Sequence, residues 1–294
     1  MTESPGLILY NKESAAISVR DTVQELCQAG VDKMISVKGQ KLHFQGFAVD
    51  TRKEHIYWSF TDCLVKTCMD GRIIRQEVIS DGHLGDITYY NGNIYGTMER
   101  GPLPGHAWDD WTGFCIDVFN EELKLQQQIE LPQVQEYYIE KTNGICGVDG
   151  IAFGKSPEGG IHMMLGCGLF WEPKYDRQVI LQFSPEGRYE KEYLISTGNT
   201  PYGIQNLEYE ADRGYWWFST YPKEKVYQSE YNLFQLDGDI KTILGKWKYS
   251  TPYGLASLGG GKFLTSADTG GDGDHAGYAY LSSFSSVHGI ERLE

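Results

Sequence analysis

At 294 residues the chain can bury a large core, and its 40% hydrophobic and 22% charged residues are those of a soluble globular protein. A formal net charge of −14 repels phosphate backbones and anionic lipids. No basic patch offsets it, which excludes nucleic acid and membrane surfaces as partners but not cations, neutral sugars or polar small molecules.

The opening stretch, "MTESPGLILYNKES", lacks a basic segment followed by an apolar one, so a secretory signal is not expected. Nowhere does an apolar run approach the roughly 20 residues that cross a bilayer. The six cysteines are scattered with no C-x-x-C pair, as suits buried thiols in a reducing compartment. A cytoplasmic location is the expectation. Residues 1–42 read as an N-terminal segment, in which "RDTVQELCQAGVDKMISV" (20–37) predicts a helix followed by a closing strand.

From residue 43 to 294 two kinds of hairpin alternate. The first kind reads "GFAVDTRKEHIYWSF", "GDITYYNGNIYGTM", "DGIAFGKSPEGGIHMML", "GIQNLEYEADRGYWWFST" and "GLASLGGGKFLTSA". The second reads "LVKTCMDGRIIRQEV", "FCIDVFNEELKLQQQIEL", "VILQFSPEGRYEKEYLI" and "YNLFQLDGDIKTILGKW", with a degenerate copy in "YAYLSSFSSVHGIERLE". Its turn pairs are Asp70-Gly71, Asn120-Glu121, Glu186-Gly187 and Asp237-Gly238, and glycine in second place is the chemistry of a tight hairpin turn. Paired hairpins recurring every ~50 residues are the signature of a propeller. The expected fold is all-β: a five-bladed β-propeller of four-stranded antiparallel blades, with six blades the alternative.

Loop lengths single out one face. Turns between first and second strands, and between third and fourth, are short. The connections on the other face are long: "ERGPLPGHAWDDWTG", "CGLFWEPKYDR", "TYPKEKVYQSE" and "DTGGDGDHAG" within blades, "PQVQEYYIEKTNGICGVDG" between them. Elaborated loops on a rigid scaffold are where function usually sits. Trp108, Trp111, Phe170, Trp171, Tyr202, Tyr221 and Tyr253 fall there, and flat aromatic rings suit sugar rings or other planar-faced ligands.

The chemistry is expected where innermost strands begin. His83 and Asp86 in "HLGDI", His43 and Gln45 in "HFQG", Asp149 in "GVDG", and Gln205 and Asn206 in "IQNL" would converge on the channel. There they would perform acid–base chemistry or hold a divalent ion, unless they simply satisfy one another in a wet channel. Glu99 ends a second strand beside the longest loop, which carries His106 and Trp108. With Asp86 it offers the paired carboxylates of glycosidic chemistry, unless it merely pairs with Arg100. Asp86, Glu99, Asp149 and His83 are the catalytic candidates; His43, Gln45, His106, Trp108, Trp171, Asn206, Tyr221 and Asp268 are the substrate-binding ones. "SADTGGDGDHAG" (266–277) fails as a calcium loop because no glutamate stands at the twelfth position from Asp268 or Asp272, leaving Asp268 a channel candidate. Cys167 in "LGCGLF" is a nucleophile candidate that reads better as a buried thiol.

Phrases such as "GVDGIAFG" and "TPYGIQNLEYEADRGYWW" resemble the NHL and SMP-30/gluconolactonase propellers over most of residues 43–294. The resemblance implies a channel metal held by a glutamate, an asparagine and an aspartate; Glu99, Asn206 and Asp149 match in type, though the group has six blades. The expected function is an enzyme, a hydrolase, lactonase or lyase, acting on a carbohydrate or related polyhydroxylated small molecule over the channel. A divalent metal (calcium, manganese or zinc) is compatible with that site. A non-catalytic propeller that binds a glycan or a protein is the alternative.

Overall fold

Apolar residues on successive positions of the inner strands find partners on both faces of each sheet, and that settles the architecture. In β4 (His55–Phe60), Ile56, Trp58 and Phe60 pack towards one neighbouring sheet while Tyr57 packs towards the other. A strand buried on both faces needs a sheet on either side, and a closed ring of sheets supplies it. The computed structural model describes residues 7–10, 33–37, 44–79, 82–101, 110–198, 200, 202–221, 231–249, 253–266 and 275–293.

These residues form a five-bladed β-propeller. Blade one is β3 (Phe44–Asp50), β4, β5 (Cys63–Cys68) and β6 (Ile73–Val78). Blade two is β7 (His83–Tyr90), β8 (Asn93–Arg100), β9 (Gly113–Asn120) and β10 (Leu125–Glu130). Blade three is β11 (Ile145–Lys155), β12 (Ile161–Leu169), β13 (Arg177–Phe183) and β14 (Tyr189–Ser196). Blade four is β15 (Ile204–Glu210), β16 (Tyr215–Thr220), β17 (Leu233–Leu236) and β18 (Ile243–Trp247). Blade five is β19 (Leu255–Gly259), β20 (Lys262–Thr265), β21 (His275–Ser285) and β22 (Gly289–Arg292). Helix α1 (Pro132–Glu140) starts on a proline between blades two and three and buries Val134 in their common core.

Each seam between adjacent blades has its own apolar cluster. Trp58, Phe47 and Phe60 meet Ala256, Leu264 and Ala279 where blade one closes on blade five. The four strands of each of these two blades come from contiguous chain, and the N-terminal segment adds strands to blade five. Of the N-terminal segment, β1 (Leu7–Tyr10) pairs with β2 (Lys33–Val37), and β2 pairs with Lys33↔Ala279 to Val37↔His275 along β21. Within the stretch 20–37, expected as a helix followed by a closing strand, Lys33–Val37 is strand; residues 20–32 lie outside the described residues.

The innermost strands share a detail that positions the site. Their pairing slips between Phe44 and Gly46, Leu84 and Ile87, Ile145 and Gly147, Val148 and Gly150, and Ile204 and Asn206. A β-bulge leaves a residue unpaired and re-aims its side chain. The residues inside these slips include Gln45, Asp86, Cys146, Asp149 and Gln205. Four blades thus carry bulges in their inner strands, around the channel.

Candidate functional site

A cavity of about 600 Å³ opens at the channel mouth, between the loops of the elaborated face. Its polar lining is Gln45, Thr61, His83, Glu99, Asp149 and Gln205; its aromatic wall is Trp111, Phe170, Trp171, Tyr202, Tyr221 and Tyr253.

Blade two supplies His83 and Glu99 as directly opposed residues on β7 and β8. Strand alternation turns Glu99 towards blade three, where its Oε1 accepts a hydrogen bond from the Val148 amide at 3.0 Å. The next residue, Arg100, points to the opposite face and pairs with Asp117 at 2.8 Å. Glu99 is therefore free of Arg100, and its Oε2 lies 3.5 Å from His83 Nδ1. Gly147 makes this approach feasible: a Cβ there would lie 2.0 Å from Glu99 Oε1.

Asp149 comes from the bulge in β11, and its Oδ2 accepts from Gln205 Nε2 at 3.3 Å. One ligating atom each from His83, Glu99 and Asp149 lie within 4.8 Å of one another. Burial, reinforced by the neighbouring Glu99 charge, pushes the Asp149 carboxyl up to about 8. For His83, burial pulls the imidazole down, but its interaction with Glu99 and the charges of Glu99 and Asp149 outweigh burial and raise it. Gln45 Nε2 stands 3.1 Å from His83 Nε2 and 3.1 Å from Thr61 Oγ1, which fixes the imidazole from its far side. The trio thus brings two carboxyls and an imidazole together, with Asp149 and His83 both raised above their ordinary values.

The wall rings meet edge to face in sequence. Trp171 and Tyr202 centroids are 5.1 Å apart, Tyr202 and Tyr221 5.7 Å, and Tyr221 and Tyr253 5.6 Å, with interplanar angles of 66°, 68° and 84°. The Tyr221 and Tyr253 hydroxyls share a 2.5 Å hydrogen bond. Tyr202 adopts a left-handed backbone (φ 59°), rare for an aromatic residue, and its carbonyl accepts from Gln205 Nε2 at 3.0 Å.

Of the sequence candidates, Glu99, Asp149, His83, Gln45, Trp171 and Tyr221 line this cavity. Asp86 and Asn206 do not. Asp86 is buried, and its Oδ2 accepts from the amides of Ile151 (3.4 Å, blade three) and Leu207 (3.2 Å, blade four). Asn206 donates to the Gln45 carbonyl at 3.0 Å and accepts from the Gly254 amide at 2.5 Å. Both side chains are taken up in tying blades together, so Asn206, which the sequence resemblance implied as a metal ligand, does not join Glu99 and Asp149, whereas His83 does. His43, His106, Trp108 and Asp268 lie outside the described residues. Cys167 is fully buried, and burial pushes its thiol well above the ordinary range, as suits a packing residue. The cysteine on the cavity wall is Cys146. Only the register could have revealed it, because a bulge places it there.

No family model matches the chain, and no curated protein does. Solved structures do match, three of them as follows, at 10–12% identity. A glutaminyl cyclase from Myxococcus xanthus is 10% identical with a TM-score of 0.51, covering 86% of this chain and 94% of that one. A chain of the nidogen/laminin complex is 12% identical with a TM-score of 0.50, over 88% and 86%. A gluconolactonase from Xanthomonas campestris is 11% identical with a TM-score of 0.46, over 96% and 100%. The likeness is one of fold: this chain is a β-propeller distantly similar to all three.

Proposed function

We propose that the protein is an enzyme acting on a polyhydroxylated small molecule, a sugar derivative or its lactone, in the cavity over the channel. One observation carries this reading: a histidine and two carboxyls converge on the floor of an aromatic-walled cavity, and burial pushes one of the carboxyls, Asp149, up to about 8. Asp149 would donate a proton to the leaving oxygen, while Glu99, steadied by His83, would draw one from the attacking hydroxyl or water. A carboxyl raised by burial and set on a cavity floor is suited to general-acid work.

A panel of aryl glycosides and sugar lactones tests the reading. Asp149→Asn and Glu99→Gln should each lower kcat by about 10²- to 10⁴-fold with little change in ligand affinity. Full activity in both variants would overturn it, as would inertness of the wild type towards the whole panel.

A second reading rests on a separate observation. His83 Nδ1 is buried without a hydrogen-bond partner and faces Glu99 Oε2. One imidazole nitrogen and two carboxylates fit a divalent ion, which would supply Lewis-acid polarisation of a bound oxygen. Elemental analysis of the purified protein, with melting temperatures measured before and after a chelator, separates the two. A stoichiometric ion and a lowered melting temperature favour the metal.

A further inference from the structure

We propose that the ligand seated on the cavity floor carries an ammonium group, so that the substrate class is an amine-bearing polyol of the amino-sugar kind. The proposal rests on the proton-transfer reading of the cavity and narrows it.

The floor is rich in acceptors. Gln205 is 5% exposed, and its amide nitrogen donates inward to Asp149 Oδ2 and the Tyr202 carbonyl. A carbonyl can only accept, so the Tyr202 contact fixes which end of the amide is nitrogen. Gln205 Oε1 is left as an acceptor with no partner among the described residues, in a side chain that lines the cavity. Glu99 likewise commits Oε1 to Val148 and keeps Oε2 on the cavity side, beside His83. A neutral hydroxyl can donate or accept and does not require such a floor. An ammonium group has three donors and no acceptor, and matches it.

The wall agrees with the floor. Six aromatic side chains line the space, and in the run Trp171, Tyr202, Tyr221 and Tyr253 neighbouring rings are turned 66°, 68° and 84° from one another. A cation is attracted to each face, whereas a sugar stacks on only one or two. No lysine or arginine is found among the described lining residues, and the whole chain carries −14. Among the described lining residues, His83 is the one side chain that could carry a positive charge.

Trp111 and Trp171 line the cavity, so intrinsic fluorescence reads occupancy. Glucosamine and glucose, which differ by one ammonium for one hydroxyl, are titrated into metal-stripped protein. Glucosamine should bind at least about 10-fold more tightly, and that ratio should fall below about twofold in Gln205→Leu. Trp171→Ala, at a rim position that is 57% exposed and tolerant of truncation, should weaken glucosamine several-fold without disturbing the fold. Equal affinities, or no saturable response to either sugar, overturn the proposal. A ratio near one with turnover still dependent on Asp149 sinks this inference alone. Turnover independent of Asp149 and Glu99 sinks the reading beneath it.

Discussion

Single residues in this site act through close approach. Glu99 reaches the cluster because Gly147 has no side chain and the Val148 amide lies behind it. Gly147→Ala should displace the Glu99 carboxylate and cut activity by at least about 10-fold while the protein stays folded; activity within twofold of wild type would show that the placement of Glu99 is unimportant. At this scale the sequence was only partly legible. Residue types at the starts of inner strands marked His83, Gln45 and Asp149, which line the cavity. A bulge moves side chains by one position, and the one-residue difference between Gln205 and Asn206 separates a cavity residue from a seam residue. No pattern of residue types announces that shift.

Elements meet at the axis through side chains that bond to neighbouring backbone. Asp86, on β7, accepts from amides on β11 and β15, and Gly46 packs so closely that a Cβ there would fall 2.1 Å from Asp86 Oδ1. Burial pushes the Asp86 carboxyl well above its ordinary range, against the opposing pull of the backbone amides it accepts from. Asp86→Asn keeps an acceptor for them and should cost under about 1 kcal/mol, whereas Asp86→Ala strands two buried amides and should cost about 2–4 kcal/mol. Chemical denaturation of both variants checks this, and equal losses would contradict it. The hairpins and their turns were legible because alternation and Asp-Gly or Glu-Gly pairs are local signals. The pins were not, because Asp86 and Leu207 are far apart in sequence and meet only once the ring closes.

The whole molecule carries several buried carboxyls. Burial raises Asp149 and Glu208 to about 8 each, and raises Asp86 as well. In the unfolded chain these groups ionise near pH 4. Between about pH 4 and 8 the unfolded state therefore loses protons that the folded state keeps, and stability falls as pH rises through that window. Melting temperatures of metal-stripped protein should decline from pH 5 to pH 8, with a shallower slope in Asp149→Asn; a rising trend with no difference between the proteins would contradict this. The ring itself was readable from the ~50-residue repeat, since each unit must cover both faces of its sheet. At its closure β2, in the stretch where a closing strand was expected, extends blade five along β21, and the seam to blade one is sealed by packing around Phe47 and Trp58, which no local signal announces.

The account turns on whether Asp149 is the protonated member of a coupled group. Carbon-13 NMR of aspartate-labelled, metal-stripped protein measures it directly, with the Asp149 carboxyl assigned by its disappearance in Asp149→Asn. A titration midpoint near 8 that moves down in Glu99→Gln, where the neighbouring negative charge is gone, is the predicted result. A midpoint near 4, unchanged by Glu99→Gln, would contradict it.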